Sequence, residues 1–116
     1  MRCLIVDDSR QFLDAARGRL ERQGLLVVGV ASNGSDAVQL ARELKPDVTL
    51  LDIDLGGENG FEVARQLHRH DTTASVILIS THAELDYRDL IAASSALGFL
   101  PKADLSAAGI LDLLRA

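Results

Sequence analysis

Cysteine is nearly absent from this chain: Cys3 stands alone. A single thiol closes no internal disulfide and builds no multi-cysteine zinc site, which agrees with a reducing compartment and predicts the cytoplasm. Tryptophan is missing and aromatic residues reach only 3%, too few to sandwich a flavin. No apolar run approaches the ~20 residues that cross a bilayer. The opening Met1-Arg2-Cys3-Leu4-Ile5-Val6 is too short for a signal peptide. Positive charge is also short, with 12 Lys+Arg against 17 Asp+Glu and a net charge of -5. Such a chain repels phosphates, so direct nucleic-acid binding over a broad face is excluded, and any DNA-binding function belongs to another chain or another domain.

What is there is an ordinary globule. The 116 residues, 47% hydrophobic and 25% charged, fit one domain spanning 1–116 with a core of its own. Short apolar runs alternate with amphipathic stretches. The runs are Cys3–Val6, Leu26–Val30, Val48–Leu51, Ser75–Ile79 and Gly98–Leu100. The first four are apolar on nearly every residue, as strands covered on both faces must be. Between them the period becomes helical. Leu13, Ala16 and Leu20 share a face, as do Ala37, Leu40, Ala41 and Leu44 before Pro46. Phe61, Ala64 and Leu67 mark a third helix, Leu90, Ile91 and Ala93 a fourth, and Ile110, Leu111 and Leu114 a fifth. Ser9 and Ser35 are expected to cap helix starts, and Gly24 and Gly98 to end helices. Five β-α units with short connections predict an α/β fold, a doubly wound three-layer αβα sandwich on a parallel five-stranded sheet.

In such sheets the ligand site lies beyond the carboxyl ends of the strands. Asp7 and Asp8 follow the first run, Asp52 and then Asp54 the third, Ser80 and Thr81 the fourth, and Lys102 the fifth. Singly each has a structural reading: an acid pair opens a helix, a serine caps one, a lysine is solvated. Together, each at the end of a different strand, they form a kit for phosphoryl transfer to a carboxylate. Clustered acids repel until a hard dication neutralises them, and Mg²⁺ suits an all-oxygen site that also accepts phosphate. Asp52, at the end of the run expected to be most central, is the expected nucleophile. Lys102 and the Ser80 hydroxyl are placed to hold phosphoryl oxygens.

These residues resemble the receiver domain of bacterial two-component response regulators. The resemblance rests on Cys3–Asp8, Pro46–Leu55, Gly57–Glu62, Ile77–Ser80 and Gly98–Lys102, and it covers essentially the whole chain. It implies the flavodoxin-like strand order 2-1-3-4-5 and a signalling domain rather than an enzyme. Asp52 would accept a phosphoryl group from the phosphohistidine of a sensor histidine kinase. The resemblance makes Asp8 a direct Mg²⁺ ligand, Asp7 one acting mainly through water, and Asp54 a ligand through its backbone carbonyl. Ser80 and Lys102 would bind the phosphoryl oxygens, with Ser80 coupled to the aromatic Phe99 as a switch. Phosphorylation would then reshape the face made by the fourth helix, fifth strand and fifth helix, a possible homodimer surface together with the last helix. Ile110, Leu111, Leu113 and Leu114 are apolar on more than one side of that helix.

Gly98–Leu105 resembles receivers attached to NarL/LuxR-type output domains. The chain stops at Ala116, so two expectations stand: a free-standing receiver or one cut from its output domain. Two departures from the family bear on the site. Gly56 stands where proline is usual, which predicts a looser loop, and Ala103 stands where proline often follows the lysine. A cis bond at Lys102-Ala103 would cost ~3 kcal/mol without proline. The resemblance puts His82 at a position that influences phosphate lifetime, with an exposed loop histidine of no role as the equal alternative, while His68 and His70 suit the negative pole of the third helix. Three rivals remain. A phosphatase of the haloacid dehalogenase type would also use Asp52 as nucleophile with Asp54 as acid/base, but leaves Asp7-Asp8 unexplained. A flavodoxin-like cofactor binder lacks Gly-x-Gly-x-x-Gly after the first strand. A receiver-like binding module without phosphorylation does not need the full set of Asp7, Asp8, Asp52, Ser80 and Lys102.

Overall fold

The computed structural model describes residues 1–81 and 84–115. Five strands, β1 (Arg2–Val6), β2 (Leu26–Ala31), β3 (Val48–Asp52), β4 (Val76–Ser80) and β5 (Gly98–Pro101), form one sheet in the order β2-β1-β3-β4-β5. Every neighbouring pair in it is parallel. Parallel strands need crossovers, and helices supply them: α1 (Arg10–Arg22), α2 (Gly34–Leu44), α3 (Gly60–His70), α4 (Arg88–Ala93) and α5 (Ala107–Arg115). The predicted αβα sandwich and its strand order are both present.

The continuous apolar runs have the expected cause. Side chains alternate across a strand, and each face meets helices. Cys3, Ile5, Val48, Leu50, Ile77 and Ile79 pack toward α1 and α5, against Leu13, Ala16, Leu20 and Ile110. Leu4, Val6, Leu51, Val76, Leu78 and Phe99 pack on the opposite face with Ala37, Val63, Ala64 and Leu67 of α2 and α3. Burial within the first of these layers pushes the Cys3 thiol up to about 12, so it stays protonated and inert.

Three local expectations are corrected. The cap of α2 is Asn33, whose side chain accepts from the Asp36 N–H at 2.8 Å; Ser35 lies inside the helix. Two hydrogen-bonding residues compete for that role, and Asn33 has the extended backbone that a cap needs. Gly98 does not end a helix. α4 closes at Ala93 with Ser94 after it, and Gly98 opens β5, where a Cβ would lie 2.9 Å from Leu113 Cδ2 of α5. Leu90 is 54% exposed, so α4 turns Ile91 rather than Leu90 to the core. The other two expectations hold. Ser9 accepts from the Phe12 N–H at 3.2 Å, and Gly24, φ 96°, follows the end of α1.

The loop at Gly56 has a defined form. Asp54–Leu55 and Glu58–Asn59 pair as a small antiparallel ribbon, joined by Gly56 (φ 61°) and Gly57 (φ 108°). Two consecutive residues at positive φ make the tight hairpin turn whose twist matches its strands. Among the described residues every peptide bond is trans, Lys102-Ala103 included. His82 lies outside the described residues.

Two leucines separate core from surface. Leu50→Ala, at a fully buried position, should lower unfolding stability by ~2–5 kcal/mol. Leu90→Ala should change it by less than ~0.5 kcal/mol. Urea denaturation of both variants checks the pair, and equal losses would contradict the placement of α4.

Candidate acidic site at the carboxyl edge of the sheet

Strand register brings the expected residues to one edge. Val6 pairs with Leu51, so Asp7 and Asp52 are the next residues of adjacent strands. Asp52 pairs with Ile79, and Ser80 with Pro101, so Ser80 and Lys102 continue the same row. Chain direction does the rest: parallel strands end together.

Asp7 is fully buried, Asp52 is 6% exposed and Ser80 3%, while Asp8 faces solvent. Asp7, Asp8 and Asp52 each offer a carboxylate oxygen, all within 4.8 Å of one another. Lys102 Nζ reaches Asp7 Oδ2 at 2.6 Å and Asp52 Oδ2 at 3.1 Å. The contact with Asp7 is the shorter of the two. Backbone amides hold the other oxygens. Ser9 N–H donates to Asp7 Oδ1 at 2.8 Å, and Asp54 N–H to Asp52 Oδ1 at 3.1 Å. The Asp54 side chain is exposed, and only its backbone joins this cluster. Phe99 is buried on the α2–α3 face of the sheet, in register with Leu78.

Burial pushes Asp52 up from 3.8 to about 6, against the downward pull of the Asp54 N–H and Lys102, with the Asp7 charge adding to the rise. Burial pulls Lys102 down, but its contacts with Asp7 and Asp52 outweigh that and leave it above its ordinary value. One ammonium therefore serves two buried carboxylates, with a third nearby. Such a set is unbalanced by charge, and a hard dication with oxygen ligands fits it.

Two contributors escaped the sequence reading. Lys102 Nζ lies over the Phe12 ring of α1, 4.4 Å from its centroid, a cation–π contact. Its only sequence signal is an aromatic one helical turn past Asp8. The second is the approach of Gly56, already singled out in the sequence, to Asp8: a Cβ there would lie 2.7 Å from Asp8 Oδ2. His70 sits against Arg42, 3.0 Å from Nη2 to Nδ1, and α3 ends in His68, Arg69 and His70.

Comparison with known proteins decides the family. A model of the response regulator receiver domain matches residues 3–112. The chain belongs to that family. It is 34% identical over its whole length to the transcriptional regulatory protein LiaR of Bacillus subtilis, of which it covers 55%. It is 45% identical to protein PilH of Pseudomonas aeruginosa over 69% of this chain and 67% of that protein. The signal receiver domain of the response regulator NarL from Mycobacterium tuberculosis superposes with a TM-score of 0.86 at 31% identity, covering 99% of this chain and 96% of that one. The resemblance to NarL/LuxR-type receivers is thus borne out. The receiver spans about half the length of several of the curated relatives it matches.

Receiver domains are signalling domains of two-component systems rather than classical enzymes, and they work with sensor histidine kinases. They generally bind Mg²⁺ at an acidic pocket, and Asp7, Asp8 and Asp52 form one here. Among the described residues no helix is long and apolar enough to cross a membrane.

The raised Asp52 value has a measurable sign. The native state holds the Asp52 proton more tightly than the unfolded chain does, so the contribution of Asp52 to stability is greatest below pH ~4 and is lost as pH rises to about 6. Asp52→Asn does not ionise, and Lys102 keeps its pair with Asp7. In EDTA the variant should match the wild type near pH 4 and exceed it by about 1–3 kcal/mol at pH 7. Urea melts across that range check it; parallel curves would show that burial does not control Asp52.

Proposed function

We propose that Asp52 is the phosphoacceptor of this receiver domain, taking a phosphoryl group from the phosphohistidine of a sensor histidine kinase, and that residues 1–116 are one receiver unit. The observation that carries this reading is the buried Asp52 carboxylate at the end of the central strand, paired to Lys102 and within 4.8 Å of two further carboxylates.

Asp8, Asp52 and the backbone carbonyl of Asp54 are the residues that would hold Mg²⁺, with Asp7 acting through water. The donor set fits, being all oxygen with no histidine or thiolate in it. When bound, the ion supplies charge neutralisation for the phosphoryl oxygens. The chain's own residues do the rest. An oxygen of Asp52 attacks phosphorus, the P–N bond to the donor imidazole breaks, and its electron pair stays on the imidazole nitrogen. Two backbone amides and Lys102 keep the carboxylates fixed, which removes orientational freedom before transfer.

Phosphorylation replaces one negative charge with roughly two and adds three strong acceptors. Lys102 then exchanges carboxylate contacts for a phosphoryl oxygen, and Ser80, buried on the neighbouring strand, donates to another. At ~1.5–3 kcal/mol for each charge-assisted bond, two such contacts suffice to move a two-state element. Phe99 lies on β5 beyond Ser80 and would carry that change to the α4-β5-α5 face. A histidine kinase, and a second copy through that face or α5, are the partners this implies. Transcription control through an output domain is the role suggested by LiaR.

With an acyl phosphate donor and Mg²⁺, the wild type should take up one phosphoryl group per chain and Asp52→Asn none, read by intact mass. Labelling of Asp52→Asn at one site would refute the assignment, and repeated turnover of a chromogenic phosphate ester would favour a phosphatase. Lys102→Ala should still be phosphorylated, but the phosphorylation-dependent amide shifts of Phe99 and Leu100 should disappear from its NMR spectra. Wild-type-like shifts in that variant would remove Lys102 from the signal.

A further inference from the structure

The hairpin at 54–59 raises a mechanical question. Its turn is Gly56-Gly57, the least restrained dipeptide the chain can place there. Yet the hairpin carries Asp54, whose N–H holds the Asp52 carboxylate at 3.1 Å, and it presents Gly56 directly to the Asp8 carboxylate. Two glycines do not by themselves keep such a segment in place. The base of the hairpin is held where the Gly60 N–H donates to the Ile53 carbonyl at 2.7 Å, which leaves its outer strand and tip to be restrained.

Glu58 supplies that restraint. The Gly34 N–H, at the first residue of α2, donates to Glu58 Oε1 at 3.0 Å. The carboxylate thus sits at the positive end of α2 and satisfies one of the free N–H groups of its first turn. The fit is close: a Cβ at residue 34 would lie 2.7 Å from Glu58 Oε2. Glycine at 34 therefore leaves the space that the carboxylate fills. Glu58 pairs with Leu55 across the ribbon, and Asn59 with Asp54. Leu55 is buried in the layer beneath α2 and α3. One side chain therefore ties the outer strand of the hairpin to α2, while Leu55 anchors the inner strand in the core.

We infer that Glu58 is a positioning residue for the metal site: by latching the Gly-Gly hairpin onto the start of α2, it holds the backbone of Asp54 and Gly56 against Asp52 and Asp8. This rests on the reading of that cluster as the Mg²⁺ site. Glu58 touches none of the three aspartates; it acts through the hairpin backbone. A side-chain latch here does the work of a turn-stiffening residue at position 56, where φ is 61° and proline does not fit.

The test is an NMR titration of the whole chain with MgCl2, following the Asp8 and Asp54 amides, together with amide hydrogen exchange. Glu58→Ala should weaken Mg²⁺ binding three- to tenfold and raise exchange at Gly34 and at residues 54–59, with β5 and α5 unchanged. Glu58→Gln keeps an oxygen acceptor for the Gly34 N–H and should restore most of the affinity. Affinity equal to the wild type in Glu58→Ala, with the hairpin amides deprotected, would overturn the inference while leaving the metal site standing. Loss of protection throughout the molecule in both variants would overturn it too, by making Glu58 a general stability residue. If the wild type itself shows no saturable response to MgCl2, the metal reading falls first and the inference falls with it.

Discussion

Two buried carboxylates share one ammonium in this molecule, and much of the site's arrangement follows from that imbalance. Lys102 neutralises one charge, yet Asp7 and Asp52 are both shielded from water and Asp8 stands within 4.8 Å of them. An isolated pair of buried acids would protonate or unfold the edge that holds it. Here the acids are held by main-chain amides from Ser9 and Asp54 and by a lysine that Phe12 backs with its ring. One of these amides belongs to the start of α1 and the other to the first residue of the 54–59 hairpin.

That dependence explains why the sheet matters to the chemistry. In a parallel sheet all carboxyl ends meet at one edge, so residues far apart in sequence reach one site without a long loop. Register then sets the spacing across the row Asp7, Asp52, Ser80 and Lys102. A slip of one residue in β3 would turn Asp52 away and put Leu51 at the edge, because side-chain direction alternates along the strand. The hydrophobic pattern that buries Leu50 on one face and Leu51 on the other therefore also aims the acid.

The same logic separates what was legible in the sequence from what was not. The five strands, their helical crossovers and the acids, hydroxyl and lysine at their ends were readable, because doubly covered strands are apolar on every residue and polar residues at their ends stand out. Asn33 against Ser35 was not readable, since two capping residues lay two positions apart and only backbone conformation chooses between them. Gly98 has the local look of a helix end, but a glycine's reason is local in sequence only when its neighbours are; here the reason is Leu113 of α5. Leu90 looked like core because periodicity in a six-residue helix spans under two turns. Phe12 and Glu58 act on residues 90 and 24 positions away, and no local pattern marks such contacts.

The Gly56-Gly57 turn joins these threads. Read locally, a Gly-Gly pair means looseness. In the fold it means a different geometry, with φ values of 61° and 108° that only a glycine pair adopts at little cost. The tight hairpin brings Gly56 so near Asp8 that a Cβ would collide with its carboxylate. Lost stiffness in the backbone is then recovered through a side chain, since Glu58 reaches α2, the element that follows β2 at the far edge of the sheet. The position of one acidic oxygen thus depends on a helix that contributes no residue to the acidic cluster. Substitutions at the start of α2 should accordingly be felt at the site according to whether they leave room for that carboxylate, rather than according to their distance from Asp52.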